Sequence, residues 1–94
     1  MSIHFSSQLT ASGDVMVRNV GDEMVLLDLK TEQYLGLDSV SARIWQVLTS
    51  GGSVQSAYET LLTEFDVEPE RLRADIEEFV TELLQLGLVE PKQS

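Results

Sequence analysis

At 94 residues, 43% of them hydrophobic and 23% charged, the chain can build one core and has no length for a second. Sixteen acidic residues against six basic ones give a net charge of −10, and Arg18, Lys30, Arg43, Arg71, Arg73 and Lys92 are scattered, which argues against nucleic acid because phosphate contacts need clustered cations. The absence of cysteine and the single histidine, His4, exclude disulfides, thiolate nucleophiles and a histidine-rich metal site, so no cofactor is expected.

No apolar run approaches the ~18 residues of a membrane span, and the N-terminal residues show no secretory pattern; the cytoplasm is the expected compartment. Residues 1–94 read as a single domain with an ordered core of about 8–90. Residues 1–7 and the tail 91–94 are expected to be loose.

Three strands come first. Residues 15–20 follow the turn pair Gly13-Asp14 and are rich in β-branched side chains. After Gly21-Asp22, residues 24–29 form a second strand. Alternate side chains face opposite ways, so Val25, Leu27 and Leu29 share a wholly aliphatic face, the expected core face, against Met24, Leu26 and Asp28. The polar turn Lys30-Thr31-Glu32 leads to a third strand, Gln33, Tyr34, Leu35, Gly36 and Leu37, with Leu35 and Leu37 on one side. Short polar turns imply an antiparallel meander.

Three helices follow. Asp38 or Ser39 can cap the first, whose stripe is Val40, Ile44, Val47 and Leu48 and whose stop is Gly51-Gly52. Ser53 can cap the second, with Val54, Ala57, Tyr58, Leu61, Leu62 and Phe65 at helical spacing. Residues 66–68 break the pattern and Pro69 suits the first turn of the third helix, which Gly87 ends. On that helix Leu72, Ile76, Phe79, Leu83 and Leu86 span about 80° of arc, and Val80 and Leu84 widen it to about 160°. One packed layer needs roughly 100°. Either the helix lies in a groove of the core, or one flank lines an incompletely filled groove.

Chemistry of catalysis is missing from this pattern. His4 is far in sequence from any structured hydroxyl, and Glu77, Glu78 and Glu82 read as a solvated helix face. The Gly51-Gly52 pair lacks the lysine of a phosphate loop, and Asp66, Glu68 and Glu70 lack the glycine and terminal glutamate of a calcium loop. Trp45 reads as a core residue or a ligand platform, and Tyr34 as a lid on the core edge or a peptide contact. Binding remains. The last strand of a meander has a free edge to which an extended peptide can add.

The order Val25-Leu26-Leu27-Asp28-Leu29, Lys30-Thr31, Tyr34, Leu37-Asp38, Ala42-Arg43-Ile44-Trp45, Gly51-Gly52-Ser53-Val54, Phe65-Asp66-Val67, Phe79, Leu83-Leu84 and Gly87-Leu88-Val89 resembles the PqqD-like family, across about residues 15–90. These are recognition elements for ribosomally made, post-translationally modified peptides. The resemblance is closer to the stand-alone proteins of lasso-peptide clusters. It implies an α+β, winged-helix-like fold, a three-stranded antiparallel sheet followed by three helices. It also implies a non-catalytic protein that binds a precursor leader peptide and presents it to a leader peptidase or other maturation enzyme. Carried onto this chain, the leader adds to Gln33, Tyr34, Leu35, Gly36 and Leu37 and meets a helical wall of Leu72, Asp75, Ile76, Phe79, Val80 and Leu83. The family often has glycine after the turn threonine, where this chain has Glu32, which leaves the strand register open by one residue. The competing readings are a winged-helix DNA-binding regulator and a subunit that swaps strands or homodimerises through the same edge.

Overall fold

Short polar turns bring the N-terminal apolar runs together before any helix begins. The computed structural model describes residues 4–91. Their element order is β1 Leu9–Ala11, β2 Val15–Val20, β3 Glu23–Asp28, β4 Tyr34–Leu37, α1 Ser39–Thr49, α2 Val54–Glu64, α3 Pro69–Gln85 and β5 Val89–Pro91. Strands β2, β3 and β4 form the antiparallel meander, in that spatial order, and the three helices follow it. The architecture is the expected winged-helix-like α+β fold.

The register inverts the expected core face of β3. Leu26 lies opposite Leu35 and Met24 opposite Leu37, and cross-strand partners share a face. Met24, Leu26 and Asp28 are therefore inside, Val25 and Leu27 are half-buried on the far side, and Leu29 is 55% exposed. Aliphatic content along one strand does not decide which face the helices cover. Asp28 can face inward because its carboxylate accepts the N–H groups of Lys30 at 2.9 Å and Thr31 at 3.3 Å. The Lys30 N–H, more than that of Thr31, holds its carboxyl below the ordinary value against the opposing effect of burial.

The same turn settles the register. Glu32 takes φ of +63°, the left-handed conformation a glycine would adopt without steric cost. Its N–H donates to Asp28 O at 2.8 Å, and Asp28 N–H donates to Gln33 O at 2.8 Å. Glu32 thus does the work of glycine, and β4 pairs as Leu27 with Tyr34 and Val25 with Gly36.

Helices α1 and α2 start at side-chain caps. Asp38 Oδ1 accepts the Ser41 N–H at 2.8 Å, which lowers the pKa of that carboxyl, and Ser53 Oγ accepts the Ser56 N–H at 3.1 Å. Pro69 opens α3, with no side-chain cap from Glu68. Gly87 closes it at φ +73°, while Leu88 N–H returns to Leu83 O at 3.0 Å. On α1 the buried residues are Ala42, Ile44, Trp45 and Leu48. Trp45 is thereby a core residue and no ligand platform, and Val40 is 49% exposed. On α3 they are Leu72, Ile76, Val80 and Leu83, so the buried arc is rotated toward Val80 and leaves Phe79 and Leu86 half-buried. A bidentate pair, Arg43 Nε to Glu64 Oε1 at 2.7 Å and Nη2 to Oε2 at 2.6 Å, ties α1 to α2.

Residues 4–7 are not loose. Phe5 is buried, its carbonyl accepts the Gln55 N–H at 2.6 Å, and the Arg73 guanidinium lies 3.8 Å from its ring centroid. Ser7 O accepts the Val54 N–H at 2.8 Å. Strand β1 then pairs antiparallel with β5, a second small sheet that joins the two ends of the chain. A three-residue strand whose partner lies about 80 residues away leaves no local periodic signal. The expected looseness of residues 1–3 and 92–94 falls outside the described residues.

Candidate functional site

Strand β4 has β3 on one side and an open edge on the other. Antiparallel ladders alternate bonded and non-bonded pairs, and Asp28–Gln33 is a bonded pair. By that phase Leu35 and Leu37 spend their backbone groups on β3. Tyr34 and Gly36 turn theirs outward, leaving two N–H donors and two carbonyl acceptors on the edge. The same phase puts the Leu35 and Leu37 side chains on the core side, half-buried and buried, and Tyr34 on the outer face, 73% exposed. Tyr34 is no lid over the core edge.

Beside the end of β4 lies a cavity of about 420 Å³. Its apolar wall is Val40, Ile44, Phe65, Val67, Leu72 and Phe79, and Asp38, Ser41, Asp66 and Asp75 complete the lining. A shallow cleft of about 240 Å³ adjoins it along α3, between Asp75, Glu78, Phe79 and Glu82. Asp75 has an exposed, weak ion pair with Arg71 at 3.9 Å. No Lys or Arg lines either space, so the local potential is negative.

The residues expected to meet a guest divide. Tyr34, Leu35, Gly36 and Leu37 form the edge strand, with the backbone groups of Tyr34 and Gly36 outward, and Gln33 precedes it with its carbonyl bonded to Asp28. Leu72, Asp75 and Phe79 do line the cavity. Ile76, Val80 and Leu83 do not form an exposed wall. They are at most 1% exposed and belong to the core cluster against which Phe79 packs. Periodicity placed the five apolar ones on one broad arc and the resemblance added Asp75, but neither could say which flank the sheet and the other helices would cover. Val40, Ile44, Phe65 and Val67 line the cavity and were not among the expected residues. The sequence signals for the last two were the end of the second helix's stripe at Phe65 and the run Phe65-Asp66-Val67 within the resemblance, and neither pointed to a cavity.

The arrangement offers directional backbone groups, an apolar pocket and negative charge. Among the described residues no group of three His, Asp or Glu could hold a metal ion, and no helix is long and apolar enough to cross a membrane. The exposed side of α3 carries Asp75, Glu78 and Glu82, which repels a phosphate backbone and disfavours the DNA-binding reading.

Fold and site together define a winged-helix-like α+β domain with a free sheet edge and an apolar, acidic-rimmed cavity. A family model described as coenzyme PQQ synthesis protein D (PqqD) matches residues 23–89, and the chain belongs to that family. It is similar to a solved structure of TbiB1 in complex with the TbiA(beta) leader peptide, with a TM-score of 0.81 and 30% identity over 90% of this chain and 99% of that one. It is similar also to lasso peptide synthetase B1 complexed with the leader peptide, with a TM-score of 0.80 and 30% identity over 89% and 99% of the two chains. No curated protein sequence matches it.

Proposed function

We propose that the protein is a non-catalytic recognition element of lasso-peptide maturation. It binds the leader segment of a ribosomally made precursor, as a strand added to β4, and presents it to a leader peptidase or other maturation enzyme in the cytoplasm. The observation that carries this reading is the open backbone of Tyr34 and Gly36 on a strand that leads, at Asp38, into the cavity lined by Leu72 and Phe79. The similarity to two leader-peptide complexes supports it.

Energetics agree. Four edge hydrogen bonds contribute about 4 kcal/mol in total. Two or three side chains buried in the cavity contribute about 5 more. Ordering a flexible segment costs about 2–5. About 4–7 kcal/mol remains, a dissociation constant between about 1 mM and about 10 µM.

Presentation needs a second surface, and the outer face of the meander supplies one. Met16, Leu29 and Tyr34 are exposed there and Val25 and Leu27 half-exposed, with no helix over them. The test is a titration of the chain with fluorescein-labelled leader peptides from short reading frames beside its gene, read by anisotropy and by amide shifts. A leader that binds with a dissociation constant between about 1 mM and about 10 µM and moves the amides of Tyr34, Gly36 and Phe79 is the expected result. If no leader binds, or the shifts fall elsewhere, the reading is wrong. Leu29→Glu should spare leader binding and abolish stimulation of the maturation enzyme.

A further inference from the structure

We propose that the segment bound at β4 carries a Lys or Arg two residues from the apolar side chain that fills the cavity. This rests on the strand-addition reading and specifies its guest. Alternate side chains of a strand added to β4 project to the helix side, about 6.6 Å apart. One of them enters the cavity against Phe79 and Leu72. The next on that side, before or after it, passes along α3.

There the wall is acidic in both directions. Asp75 lies four residues before Phe79 and Glu82 three after it, about 6.0 and 4.5 Å along the axis. Glu78 stands next to the ring, and all three carboxylates line the cleft with Phe79. The 6.0 Å step to Asp75 nearly matches the strand step, and the 4.5 Å step to Glu82 falls about 2 Å short of it, a gap that a long Lys or Arg side chain spans. An anchor on Phe79 sets its alternate neighbour beside a carboxylate whichever way the guest runs. With Asp38 and Asp66 on the same rim, no basic side chain lining the space and a net charge of −10, the complement is a cation. An acidic side chain at that position is repelled.

The test is selection of a random 12-residue phage-displayed peptide library on the full chain. It is repeated on a triple variant, Asp75→Asn, Glu78→Gln and Glu82→Gln, whose exposed positions leave the core untouched. On the native chain, selected sequences should carry Lys or Arg two positions from an apolar residue several-fold above the starting library. On the variant the apolar preference should persist and the cation enrichment vanish. A peptide from the first set should bind the variant about three- to tenfold more weakly, with the difference lost in about 0.5 M NaCl. Equal enrichment on both proteins, absent cation enrichment, or a salt-insensitive difference overturns the inference and leaves strand addition standing. Selected peptides whose affinity is unchanged by Gly36→Pro, or a library that yields no binder, overturn strand addition and this inference together.

Discussion

Gly36→Pro separates the open edge from the ladder. By the alternation of the β3–β4 pairing, the Gly36 N–H points to the open side, so proline there removes no bond to β3. A Cβ at this position meets nothing within 4 Å, and its φ is not positive. The folded state should survive, with a melting temperature within a few degrees of the parent. A guest strand loses one N–H donor, worth about 1 kcal/mol, and its facing carbonyl is left unpaired, worth about 1–2 more. A total of about 2–3 kcal/mol is a 30- to 150-fold weaker complex. Anisotropy with a labelled leader, beside a circular-dichroism melt, measures both quantities. Leu35→Pro is the control, since its N–H belongs to the ladder and its loss should unfold the meander. A folded Gly36→Pro protein with undiminished affinity refutes the strand-addition geometry. An unfolded one refutes the phase assigned to β4.

Three further outcomes follow from single groups. Phe79→Ala should leave a folded chain and weaken leader binding about tenfold, whereas Val80→Asp should unfold it, because that side chain is 1% exposed; thermal melts and anisotropy check both. Glu32→Gly should relieve a left-handed strain of about 1–2 kcal/mol, less about 0.4–1 for the extra freedom of the unfolded chain, raising the melting temperature by a few degrees. A lowered melting temperature would show that Glu32 makes a contact worth more than its strain. Asp28, Asp38 and Glu64 are all held below their ordinary pKa, by the Lys30 N–H, the Ser41 N–H and the Arg43 guanidinium respectively. Each then contributes stability that is present above the unfolded value, about 4, and is lost as pH falls through the lower folded value. Melts should be flat from about pH 6 to 8 and fall steeply below about 4; a flat profile through that range contradicts the three hydrogen bonds.

Local chemistry decided most of the elements by itself. Asp38, Ser53 and Pro69 mark helix starts because each satisfies, or does without, backbone groups at its own position. Polar turns of two or three residues force neighbouring strands to pair, so the meander and its free last edge were legible along the chain. The order of these pieces also carried the family resemblance. Tertiary packing decided what no local pattern holds. Val25, Leu27 and Leu29 form the more aliphatic face of β3, yet Met24 and Leu26 face the helices, because pairing with Leu35 and Leu37 sets the side and Asp28 finds its partners in the turn. The arc of α3 was readable, but its rotation, with Val80 sealed and Phe79 left at the cavity, depends on where the sheet and other helices arrive. The cavity draws on α1, the α2–α3 loop and α3 at once, and β1 meets β5 across nearly the whole chain. Periodicity reports which residues share a face; only the closed fold determines which face is covered, because burial is a property of the neighbours as much as of the strand or helix itself.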